Sequence, residues 1–70
     1  MTLPMQLTIN GETRQYATPM TIAELLETMG LKGKFVAVER NREVVSYTKY
    51  NAVTLSDGDQ LEIVTLVGGG

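Results

Sequence analysis

Polar and apolar residues alternate at the start of the chain: Met5, Leu7 and Ile9 are apolar, while Gln6, Thr8 and Asn10 are polar. A period of two predicts a strand with one buried face. Asn10-Gly11 follows, the dipeptide suited to a type I′ turn, whose two central residues both take positive φ. Thr13-Arg14-Gln15-Tyr16 reads as the returning strand, shorter and more polar. The chain opens with a β-hairpin.

The period then changes. Thr18-Pro19 ends the hairpin, and Ile22, Leu25, Leu26 and Met29 fall at i, i+3, i+4 and i+7, one apolar stripe on a helix of about two turns. Thr21 is the expected N-cap, and Glu24 three residues on completes a capping box. Met20 and Leu25 have the spacing of a hydrophobic staple across that cap. Gly30 stands where a left-handed residue closes a helix, and Leu31 is placed to fold back onto Leu26. In so small a domain the stripe is expected to be core.

Lys32-Gly33-Lys34 reads as a surface connection. Phe35-Val36-Ala37-Val38 is a continuous apolar run, which predicts a strand with some cover on both faces. Asn41-Arg42 makes a turn into a short strand, Glu43-Val44-Val45. Residues 46–53 have no sustained period and read as a loop or a single helical turn. Thr54-Leu55 begins or pairs with a short strand, and Ser56-Asp57-Gly58-Asp59 is a tight turn whose glycine takes positive φ. Gln60 to Val67 is the last strand, with Leu61 and Ile63 on one face. Glu62, Val64 and Leu66 lie on the other, which becomes apolar just before the terminal glycines.

One helix cannot cover both faces of a sheet, so the simplest packing lays it across one face of a mixed four- to five-stranded sheet. The first and last strands are the expected centre and would be parallel neighbours. That is an α+β fold of the β-grasp, ubiquitin-like type. It assigns 1–67 to one domain and 68–70 to a flexible C-terminal glycine tail.

Composition narrows the function. There is no histidine and no cysteine among the 70 residues, so the usual near-neutral base and the strongest nucleophile are missing. Disulfides and thiolate metal sites are excluded with the cysteines, and their absence matches the cytoplasm. A formal charge of −2 with three tyrosines and one phenylalanine does not make a nucleic-acid surface. No apolar span or leader suggests a membrane protein. Five of the six basic residues (Lys32, Lys34, Arg40, Arg42, Lys49) lie between positions 32 and 49, whereas the last third carries Asp57, Asp59 and Glu62. An acidic end could steer toward a basic pocket such as one that holds a nucleotide. A turn role for Asp57 and Asp59 outweighs a metal site made with Glu62. The expectation is a protein without a catalytic site, metal or bound cofactor.

What remains is the run Gly68-Gly69-Gly70. Glycine cannot pack or brace, but it can enter a slot too narrow for any Cβ. Three extended residues reach ~10 Å, enough to carry the Gly70 carboxylate into another protein's active site. A frayed or engineered tail is the other reading, and the glycines alone do not decide between them. A free carboxylate is inert toward sulfur until adenylation gives it AMP as a leaving group. A sulfur nucleophile can then convert it to a thiocarboxylate.

Val36-Ala-Val-Glu-Arg-Asn-Arg-Glu-Val-Val45 and the stretch from Leu55-Ser-Asp-Gly-Asp through Gly70 resemble the ThiS family of sulfur carriers in thiamine biosynthesis. The Asn10-Gly11-Glu12 turn and the Thr21 to Leu26 helix fit the same family, so the likeness covers nearly the whole chain. Residues 39–50 match it loosely. The resemblance implies that Gly70 is adenylated by an E1-like enzyme of the ThiF type, with the ATP used there rather than bound by this chain. Gly70 then becomes a thiocarboxylate with sulfur from a cysteine desulfurase or a rhodanese-type persulfide. The sulfur passes to thiazole synthase of the ThiG type. Gly68, Gly69 and Gly70 would enter partner active sites, and Val64, Leu66 and Val67 would lie against both partners, with strand packing as the competing role. A molybdopterin-synthase carrier, a ubiquitin-like protein modifier and a binding module with an inert tail stay open beside this reading.

Overall fold

A computed structural model describes residues 4–31 and 35–66. The alternating segment forms β1 (Met5–Ile9), which turns through Asn10 and Gly11 into β2 (Glu12–Tyr16). Both turn residues have positive φ, 51° and 84°, as the dipeptide predicts. Helix α1 (Ile22–Thr28) starts at Thr21, whose side chain accepts from the Glu24 amide while the Glu24 carboxylate accepts from the Thr21 amide. The chain turns out of the helix at Gly30, with φ 74°. The Gly30 amide donates to Glu27 O and the Leu31 amide to Leu26 O, the paired bonds of a Schellman close.

After the segment 32–34, which lies outside the described residues, come β3 (Val36–Arg40), β4 (Glu43–Val45), a 3₁₀ turn (Tyr47–Lys49) and β5 (Gln60–Thr65). The sheet order is β2-β1-β5-β3-β4. The first and last strands are parallel neighbours, and β5 runs antiparallel to β3. This is the expected β-grasp, with the helix on one face of a mixed five-stranded sheet. Leu7, Ile22, Leu25 and Val38 are fully enclosed between the two layers. Thr54 does pair, but only as an isolated bridge to Thr21.

Two expectations need correction. β5 ends at Thr65 rather than Val67, although the Leu66 amide still donates to Phe35 O at 2.8 Å. The run from Phe35 to Val38 is covered on one face only: Val38 is sealed, whereas Phe35 is 79% exposed and Ala37 is open to solvent. The single helix occupies the other side of the sheet, and among the described residues nothing covers these outward positions.

Candidate functional site

Strand β5 leads toward the glycines, and each of its edges is held differently. Along β3 the ladder runs from Arg40↔Leu61 to Val36↔Thr65. Along β1 the register covers only Thr8↔Gln60 and Ile9↔Leu61. Where β1 turns away, the side chain of Asn10 continues the ladder: its Nδ2 donates to Ile63 O at 2.9 Å and its Oδ1 accepts from the Ile63 amide at 2.7 Å. A side-chain amide offers the same donor and acceptor as a peptide unit, so it can stand in for a strand residue. Asn41, at the β3–β4 turn, does similar work at the start of β5, where its Oδ1 accepts from the Gln60 amide at 3.0 Å. Both asparagines sit at φ 51°, where Asn is among the better tolerated non-glycine residues.

The 56–59 turn anchors the same strand. Gly58 has φ 89°, as expected. Asp57 Oδ1 accepts from the Gln6 amide at 2.7 Å, and the Gly58 amide donates to Gln6 O at 2.7 Å, so the turn is stitched to β1. Asp59 is 7% exposed and pairs with Arg40 Nε at 2.7 Å, while the Ser56 amide and Asn41 Nδ2 donate to the same carboxylate. Burial alone would raise its pKa, but the Ser56, Asn41 and Arg40 hydrogen bonds and the Arg40 charge outweigh that and hold it below the ordinary carboxylate value. Both aspartates therefore serve the turn. Beneath β3, the Tyr50 hydroxyl donates to Val36 O at 3.2 Å, and burial pushes the phenol up.

The outward residues at the far end of β5 form an apolar block. Ala37 is the register partner of Val64, Leu66 is bonded to Phe35 through the backbone, and all four side chains lie on the face away from the helix. Val64 is 54% exposed and Leu66 52%, with Val44 on β4 at 78%. The expected change of the Glu62 face from polar to apolar is therefore present as far as Leu66. Phe35 and Ala37 join it, although sequence reasoning assigned them no surface role, and Val44, the register partner of Glu39, adds an exposed apolar side chain one row along. The one hint in the sequence was the single helix, which cannot cover both faces of a sheet but does not say which residues of a continuous apolar run face out. The expectations for Val67, Gly68, Gly69 and Gly70 lie outside the described residues. An exposed apolar cluster at a strand end is a common mark of a protein-binding surface.

Comparison with known proteins gives the geometry a context. A family model described as the ThiS family matches residues 7–70. The chain is 42% identical over 65 residues to the sulfur carrier protein ThiS of Bacillus subtilis, covering 91% of this chain and 98% of that one. It is 48% identical over 66 residues to a thiazole synthase of Paramagnetospirillum magneticum, covering 94% of this chain. There the chain spans only 20% of the relative's length. The crystal structure of a thiamine biosynthesis protein (ThiS) from Geobacter metallireducens superposes with a TM-score of 0.80 at 35% identity, covering 94% of this chain and 100% of the other.

Proposed function

The chain belongs to the ThiS family of sulfur carriers in thiamine biosynthesis, and from that premise we propose that it carries sulfur as a thiocarboxylate on Gly70. The family match that runs through residue 70 carries this reading. The carboxylate attacks the α-phosphorus of ATP held by a ThiF-type adenylating enzyme, releasing pyrophosphate and forming the acyl adenylate. The terminal sulfur of a persulfide, from a cysteine desulfurase or a rhodanese-type protein, displaces AMP. Cleavage of the resulting sulfur–sulfur bond by a thiol leaves the thiocarboxylate. Gly68 and Gly69 thread the carboxylate into sites that exclude side chains.

The chain itself is a carrier rather than an enzyme, binds no cofactor and works in the cytoplasm. Among the described residues no helix is long and apolar enough to cross a membrane. Its sulfur acceptor is a thiazole synthase of the ThiG type, a reading supported by the synthase that contains a closely similar stretch. Val64 and Leu66, with Val67, form the surface that partners grip while they use the tail. Phe35, Ala37 and Val44 extend it. The apolar block stands at the end of the strand that precedes the glycines in the chain, which supports its role as the surface that partners of Gly70 grip.

Intact-protein mass spectrometry tests the proposal. Incubation with ATP, the cognate adenylating enzyme and a persulfide donor should replace one oxygen by sulfur, and truncation before Gly69 should abolish the shift. A chain that stays at its starting mass with every such partner defeats the reading. Isopeptide-linked conjugates recovered from cells would instead favour a protein modifier.

A further inference from the structure

The open face of the sheet carries two kinds of surface in sequence along the same strand pair. Ala37↔Val64 belongs to the apolar block, and two residues further along Glu39 lies opposite Glu62. Register partners in a sheet hold their Cβ atoms about 4.5–5.5 Å apart, and like charges so placed repel. Both glutamates are exposed, and among the described residues neither has an ion-pair or hydrogen-bond partner for its carboxylate. They line a recess of about 310 Å³ with Thr8, Gly11, Gln60 and Arg42. Arg42, though it lines the same recess, pairs with neither of them.

The isolated chain tolerates this pair because water screens it. A partner that covers Val64 has no such latitude. At about 3.3 Å per residue the Glu39–Glu62 step lies about 7 Å along the ladder from the Ala37–Val64 step. A surface large enough for stable association extends over both. Removing two unpaired carboxylates from water is costly unless a cation arrives with the covering surface.

We propose that the open face receives a thiazole synthase whose docking surface is apolar against Val64 and Leu66 and presents an arginine or lysine to the Glu39–Glu62 recess. This rests on the carrier reading above and on the synthase that contains a similar stretch. It adds that the partner is selected by charge as well as by apolar contact. An arginine suits the recess best, since its planar fork can donate to both carboxylates at once.

Stopped-flow association with the cognate thiazole synthase tests this, comparing the full chain with the double variant Glu39→Gln and Glu62→Gln at about 50 mM and about 500 mM salt. The expected result is association about three- to tenfold slower for the variant at low salt, narrowing to within about twofold at high salt. The isolated variant should melt at or above the wild-type temperature, because the repulsion is gone. Unchanged or faster association at low salt overturns the proposal. A lowered melting temperature overturns it too, since the pair would then be satisfied within the chain. Val64→Asp separates the layers of the argument. If that variant still binds the synthase normally, the docking surface under the carrier reading is what fails. If it loses binding while the glutamine pair has no effect, only the charge selection fails.

Discussion

The two faces of the sheet are built from the same strands and behave as opposites. On β3 and β5, Val38 and Ile63 are register partners facing the helix, 0% and 6% exposed. One step along the same ladder, Ala37 and Val64 are register partners facing away, and Val64 is 54% exposed. Both pairs are apolar, but among the described residues only the inner pair has an apolar layer above it. The inner face therefore accounts for folding, and among the described residues the outer block has no packing partner that needs its apolar side chains. The sharpest contrast should come from the centre of the inner layer. Leu25 is fully buried, so Leu25→Ala should cost about 3 kcal/mol, the transfer loss plus the cavity. Urea titration would measure it. A loss under about 1 kcal/mol would mean that the inner face is far less tightly packed than its burial implies.

Asp59 tests whether the inner side depends on anything besides apolar packing. It collects Arg40, Asn41 and the Ser56 amide at the point where the 56–59 turn enters β5. Asp59→Asn leaves those donors facing a neutral group, one arm of which is itself a donor, and should cost about 2 kcal/mol. The pH dependence has a definite sign. The folded-state pKa lies below the ordinary value of 3.8, so the carboxylate's contribution is complete above that value and is lost as pH falls through the folded pKa. The stability gap between wild type and Asp59→Asn should therefore be constant near neutrality and close in acid. A gap that widens below pH ~4 contradicts the assignment.

What could be read from the sequence divides along a similar line. The Asn10-Gly11 turn, the Thr21–Glu24 box and the Gly30 close were legible because each is decided within a few residues. The β-grasp order followed from one helix and the hydrophobic alternation. The Arg40–Asp59 pair was not legible, because its partners are 19 residues apart and are joined only by the β3–β5 register. Nor was the exposure of Phe35 and Ala37, since a continuous apolar run looks the same whether one face or both are covered. Arg42 at φ 72° is a further case, a turn position that usually favours glycine or asparagine. The site was legible in part. Val64 and Leu66 follow from alternation, whereas the three outward residues on β3, its approach and β4 needed the fold.

Asn10 sits where local and distant requirements meet. Its turn conformation was predictable, but its two hydrogen bonds to Ile63 span 53 residues. Asn10→Gly keeps the positive φ and removes only the clamp, so the measured loss reports those bonds. About 1–2 kcal/mol is expected. Hydrogen exchange at the Ile63 amide should speed up more than exchange at Val38, deeper in the inner face. Equal acceleration at both would show a global loss instead of a loosened strand.

The smallest effect on the fold should accompany the largest effect on function. Val64→Ser and Leu66→Ser replace side chains already about half exposed, 54% and 52%, so little buried apolar area is lost. Each should change stability by no more than about 0.5 kcal/mol. If the outer block is what partners grip, the same changes should slow sulfur loading of Gly70, read as the mass-shifted fraction at fixed enzyme. Raising the concentration of the adenylating enzyme should restore the yield, because the loss lies in association and not in the chemistry of the tail. Leu25→Ala should behave the opposite way, losing stability while the fraction still folded loads at the wild-type rate. If the outer serine variants load like wild type, the open face is apolar for a reason unconnected with the tail. If they unfold as readily as Leu25→Ala, the two faces were never separate.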